Sequence, residues 1–164
     1  MIRLLGSSLL MLGGWCIAQR RSAELRRRIA ICGDFLAAAE YLKRSIRCES
    51  RPMYPLFQEL TAEYDGEVGH FFAALLSRWE DAASLTGLWQ ACCDALPRWD
   101  GEGAWRELGR RLDGDGESLL RALSFAAEEL TCVRRRLQET LPAKQKLDRA
   151  LSLSVSAFLA VLLL

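Results

Sequence analysis

The sequence predicts an all-α protein, an antiparallel helical bundle that carries an apolar helix at each end. Three features predict it. Two long segments place apolar residues at helical spacing. Period-two alternation is absent and β-branched residues are scarce, so no strand is expected. Two charge-free runs, residues 4–18 and 150–164, flank a charged middle, and every Asp, Glu, Lys and Arg except Arg3 lies between them.

The first seam runs through Leu25, Ile29, Cys32, Leu36, Ala39, Leu42 and Ile46, spaced four, three, four, three, three, four. That pattern gives an amphipathic helix with a narrow apolar stripe. The helix is expected to continue directly from the apolar start, and Pro52 and Pro55 mark its end. Pro55 fits the first turn of a second helix carrying Leu56, Phe57 and Leu60. Asp65-Gly66 is a turn signal. Two short helices then follow between Glu67 and Leu96. Val68, Phe71, Phe72, Leu75, Leu76 and Trp79 form one apolar face. Leu85, Leu88, Trp89, Cys92 and Leu96 form the other, with Ser84 as the expected N-cap. Pro97 and Asp100-Gly101 break the chain before a helix over Ala104 to Leu112. Asp113-Gly114-Asp115-Gly116 reads as a sharp turn. The last helix repeats the first seam with Leu119, Leu123, Ala126, Leu130, Val133 and Leu137, and Pro142 is expected to kink or break it.

The expected layout is an N-terminal membrane segment over 1–18, a helical domain over 19–149 and a C-terminal membrane segment over 150–164. Charge is costly in hydrocarbon, roughly 2.5–3.5 kcal/mol for a central Asp, Lys or Arg, so charge-free ends suit a bilayer. Each fifteen-residue run covers only about 22 Å against a hydrocarbon core of about 30 Å. A core helix or a shallow insertion therefore stands beside a full span at this stage. Arg20, Arg21 and Arg26 to Arg28 follow the first run, and Lys144, Lys146 and Arg149 precede the second. The positive-inside rule then places the body in the cytoplasm.

Net charge is +1, which gives no global field toward nucleic acid. The six cysteines have no CxxC spacing, and one histidine, His70, leaves a Cys/His zinc site without its ligands. They read as reduced helix-face residues. No cofactor, metal or catalytic residue is expected. The acids Asp113, Asp115 and Glu117 lack the twelve-residue calcium pattern and read as a polar turn. Trp79, Trp89, Trp99 and Trp105 suit either an aromatic surface or, more commonly, the caps of a small core. The run Arg134-Arg135-Arg136 suits anionic lipid, an acidic partner or a solvated face.

In layout and motif the chain resembles stage III sporulation protein AB of endospore-forming bacteria. The resemblance is carried by MIRLLGSSLLMLGGW, by Pro55-Leu56, by HFFAALLSRWED and LTGLWQACCDAL, and most specifically by LGRRLDGDGESLLRAL over Leu108 to Leu123. Leu108, Gly109, Leu112 and Leu123 match the motif. Asp113 stands where a second Gly is usual, Gly116 where an Asp is usual and Leu120 where a Gln is usual.

The resemblance implies a membrane-anchored platform in a channel linking mother cell and forespore, similar in architecture to the platform proteins of type II secretion and type IV pilus machines. It implies two partners besides the bilayer: a cytoplasmic motor ATPase and other membrane subunits of that channel. Its implied location is the mother-cell membrane around the forespore, with most of the chain cytoplasmic. The expected contacts are Arg110, Arg111, Asp113 and Asp115 on the polar turn, and Arg134, Arg135 and Arg136. Two further classes are open to test: a soluble helical regulator that buries its apolar ends by dimerisation, and a membrane-bound hydrolase using His70.

Overall fold

A computed structural model describes the backbone of residues 2–49 and 51–163, and the side chains of residues 20, 22–48 and 51–140. Among the described residues there are six helices and no strand: α1 (Ile2–Glu49), α2 (Met53–Glu63), α3 (Glu67–Ser77), α4 (Leu85–Ala95), α5 (Glu102–Gly109) and α6 (Gly116–Leu163). The all-α expectation holds, and α1 does run on from the apolar start. No helix among the described residues is long and apolar enough to cross a membrane. The apolar runs 4–18 and 150–164, on which the expected membrane helices rest, lie outside the residues whose side chains are described.

The chain forms two compact units, Arg28–Arg135 and the pair of segments Met1–Arg27 and Arg136–Leu164. In the second of these, Leu25 is buried while Arg20, Arg26 and Arg27 are exposed. Of the kink or break expected at Pro142, the break is absent: α6 is helical through that position. A proline removes one hydrogen bond from the ladder, and the turns on either side carry the helix on.

The core of Arg28–Arg135 uses one face of every helix. On α1 the buried residues are Cys32, Phe35, Ala38, Ala39 and Leu42. The stripe is rotated from the predicted one: Phe35 is fully buried, whereas Leu36 and Ile46 are half-buried. Aromatic packing decides the rotation. The Phe35 ring stacks on Trp99 at 4.3 Å and meets Trp105 at 4.8 Å, contacts stronger than a leucine can make.

The α6 seam is as predicted over Leu119, Leu123, Ala126 and Leu130, with Ala122 and Ala127 added. At the level where α1 enters this unit, α6 leaves it. Gly33 lies beside the Arg134 guanidinium, Arg28 lies 3.9 Å from Asp100, and Gly101 abuts Leu130.

Between these two helices, α2 to α5 supply a block of rings. Leu56, Phe57 and Leu60 of α2 and Val68, Phe71, Phe72 and Leu75 of α3 are buried as expected. Phe71 stands edge-on to Trp89 at 4.8 Å, and Trp89 lies 5.1 Å from Trp105. Such pairs add about 0.5–1.5 kcal/mol each beyond the area they bury. Trp79, Trp89, Trp99 and Trp105 thus belong to the core or pack against it, with Trp89 and Trp105 fully enclosed and Trp79 and Trp99 half-buried.

The α2–α3 joint is set by a close approach of backbones. A Cβ at Gly69 would lie 1.7 Å from the Tyr64 carbonyl oxygen, so no side chain fits there. Gly66 caps the start of α3, as the Asp65-Gly66 signal predicted. At the start of α4, the Ser84 Oγ accepts from the Gly87 N–H at 3.1 Å, the predicted N-cap.

Gly69→Ala should destabilise the protein by about 1–3 kcal/mol, since two backbones must move apart. Gly103→Ala, with open space around its Cβ position on α5, should instead stabilise by about 0.4–1 kcal/mol. Urea midpoints of the two variants against the parent measure both signs.

Candidate partner-docking surface

The motif Leu108 to Leu123 forms the joint between α5 and α6, and its named residues face inward. Leu108, Leu112 and Leu123 are buried. Gly109 is buried because Trp89 occupies the space a side chain would need: a Cβ there would lie 2.1 Å from the Trp89 Cδ1. These four residues are packing residues.

Carbonyls at the end of α5 already accept from the turn that follows, that of Arg106 from the Arg110 N–H at 3.3 Å and that of Gly109 from the Leu112 N–H at 3.4 Å, and α4 adds side-chain donors there. The Trp89 Nε1 donates to the Trp105 carbonyl at 2.9 Å, the Gln90 Nε2 to the Arg106 carbonyl at 2.8 Å, and the Thr86 Oγ1 to the Gly109 carbonyl at 3.0 Å. Arg106 adds an ionic clasp. Its guanidinium reaches Asp94 of α4 at 2.7 Å and Glu102 of α5 at 2.8 Å, and the Asp94 bond is the main cause of its raised pKa. The donor pattern on α4 was not read from the sequence. Its trace there is the pair Trp89-Gln90 one turn after Thr86.

On the outside of this joint lie the expected contacts of the polar turn. Arg110, Arg111, Asp113 and Asp115 are all exposed. Glu107 gathers both arginines, at 3.1 Å from Arg110 and 3.5 Å from Arg111. The Asp113 Oδ2 accepts from the Thr86 backbone N–H at 3.4 Å, and the Asp115 carbonyl accepts from the Leu119 N–H at 3.0 Å, opening α6. The turn is therefore a solvent-facing set of two cations and two anions beside a buried joint.

The second expected set does not join the first. Nineteen residues of helix separate Asp115 from Arg134, about 28 Å at 1.5 Å per residue. Arg134 is half-buried, with its guanidinium alongside Gly33. Arg135 and Arg136 are exposed on α6.

His70 is exposed on α3. Among the described residues no cluster of His, Cys, Asp and Glu is arranged to hold a metal ion. The thiols divide by burial. Cys32, Cys92 and Cys93 are buried, and Cys48 and Cys132 are exposed. Burial raises the Cys32 pKa to about 11, with Asp100 adding to the rise and Arg134 opposing it. Burial likewise pushes Cys93 up to about 12. The thiolate is the reactive form, so these two are inert near neutrality.

A family model, stage III sporulation protein AB, matches residues 3–164 of the chain. Comparison with curated proteins and comparison with solved structures gave no match.

A thiol reagent at pH 8 should label Cys48 and Cys132 in the folded protein and spare Cys32, Cys92 and Cys93 until urea is added, as peptide mass spectrometry will show. Linkage adds a pH effect. Above the ordinary thiol value of 9.0 the unfolded chain releases protons that folded Cys32 and Cys93 retain up to about 11 and about 12. Their contribution to stability is complete below pH 9 and is lost as pH climbs to 11–12. The alkaline fall in urea midpoint should be shallower in a Cys32→Ala/Cys93→Ala variant.

Proposed function

The chain belongs to the stage III sporulation protein AB family, and from that premise we propose that it is a membrane-anchored platform linking a cytoplasmic motor ATPase to the membrane subunits of a sporulation channel. A role in sporulation follows from the family itself, which is not known as an enzyme family. The observation that carries the finer reading is the build of the polar turn. Four exposed charges sit on a joint whose interior is closed by Gly109, Trp89 and the α4 donors. A protein that passes force or position between partners needs such a stiff point of contact, and a buried aromatic block behind it supplies the stiffness.

In this reading Arg110, Arg111, Asp113 and Asp115 meet the ATPase. The Arg134–Arg136 run, about 28 Å along α6, serves a second contact, with another channel subunit or with anionic headgroups. The apolar runs 4–18 and 150–164 hold the protein in the mother-cell membrane around the forespore. The arginines after the first run and the basic residues before the second keep the charged middle on the cytoplasmic side.

Arg110→Glu/Arg111→Glu should weaken capture of the ATPase in a pull-down about tenfold or more, equivalent to at least about 1.4 kcal/mol, with the far-ultraviolet circular dichroism unchanged. Undiminished capture removes the turn from the contact. Alkaline carbonate treatment of cell membranes should leave the full chain in the pellet; release into the wash instead points to the soluble regulator that hides its apolar ends in a dimer.

A further inference from the structure

We propose that the outward ridge of α6 is a self-association surface, on which Arg121, Phe125 and Glu129 pair with the same three residues of a second copy running in the opposite direction. The proposal goes beyond the ATPase reading and uses none of its contact residues, so either can fail alone.

The α6 helix turns Leu119, Leu123, Ala126 and Leu130 into the core. On the other side Phe125 is 52% exposed. Among the described residues the other exposed large apolar side chain, Tyr54, has the Trp79 ring against it at 5.6 Å. A single exposed phenylalanine is ordinary on a protein surface. What distinguishes this one is the sign of its neighbours. Arg121 lies one turn before it and Glu129 one turn after, both exposed. The three occupy consecutive positions of an i, i+4, i+8 row, the ridge used in the commonest helix–helix packing, with axes crossing at about −50°.

A two-fold axis through Phe125 reverses that ridge. It brings Arg121 of each chain onto Glu129 of the other and closes the two Phe125 rings against each other at the centre. A parallel pairing instead sets Arg121 on Arg121 and Glu129 on Glu129. Charge order therefore selects both a second copy and its direction, through attraction in one register and repulsion in the other. The contact is self-complementary and closes on itself, as two-fold interfaces do. Within one chain Arg121 bonds to Glu117, one turn back, with both side chains 72% exposed. Such surface pairs are weak and exchange readily, so the guanidinium is available to re-pair.

The test uses the full chain in detergent, with Cys16, Cys48 and Cys132 replaced by serine. One preparation carries Arg121→Cys and the other Glu129→Cys. Each mixed pair keeps one Arg121–Glu129 attraction and gains one possible disulfide. Oxidation should give a covalent dimer from the mixture and none from either preparation alone. In the chain without added cysteines, Arg121→Glu should lower the association constant about tenfold, and adding Glu129→Arg should restore it, the signature of direct coupling. The substituted positions are exposed, and circular dichroism checks that the helices persist. A mixture that yields no covalent dimer, single preparations that cross-link as well as the mixture, or a charge swap that fails to rescue each overturns the proposal.

Discussion

The close approach of α5 to α4 at Gly109 is the constraint on which the rest of the body depends. Because position 109 has no side chain, the Trp89 ring can lie directly on the α5 backbone. That contact brings the Trp89 Nε1 to the Trp105 carbonyl at 2.9 Å and fixes Trp105 against Phe35 and Phe71. The rings join α1, α3, α4 and α5 into one block. Close-packed rings in fixed rotamers deform little, so the polar turn that leaves this block inherits its position. The block has one unsatisfied point. The buried Nε1 of Trp105 has no hydrogen-bond acceptor among the described residues, a desolvation cost of about 1–3 kcal/mol that the surrounding ring contacts offset.

The family motif acquires a physical meaning from this geometry. Leu108, Leu112 and Leu123 are a packing set, and Gly109 is the gap that admits an indole. The charged residues interleaved with them point to solvent because helix periodicity sends them there. One short stretch therefore does two things: it locks α5 and α6 to the core and presents charge at the lock. Charge on a fixed support loses little side-chain and backbone freedom on docking, which favours a stable contact. A second charged feature, the ridge around Phe125, lies on the far side of α6 from the core and is independent of that joint.

Much of the chain was legible in advance because its helices are amphipathic and bounded by local turn and capping signals. Ser84, Pro55 and Asp65-Gly66 gave correct helix starts and turns, since capping and turn chemistry are local. The apolar faces of α2, α3 and α6 followed from spacing alone. Some readings differ from the structure, the end of the fifth helix among them: expected at Leu112, it lies at Gly109. Leu36 gave way to Phe35 on α1, because periodicity cannot weigh one stripe against its neighbour when both are apolar; ring stacking on Trp99 made the choice. At Pro142, where a kink or break is expected, the helix does not break, because one lost ladder bond need not end a helix.

Sequence by itself determined the all-α class, the order of the helices and the polar turn at Asp113 to Gly116, because each rests on interactions within a few residues. Only the tertiary structure decided that Leu108, Gly109, Leu112 and Leu123 are buried, that Trp89 and Trp105 are core, that α4 side chains bond to the end of α5, and that Asp115 and Arg134 are held about 28 Å apart. Those facts depend on which helices meet and at what distance. Such contacts join residues distant along the chain, and local pattern carries no record of them.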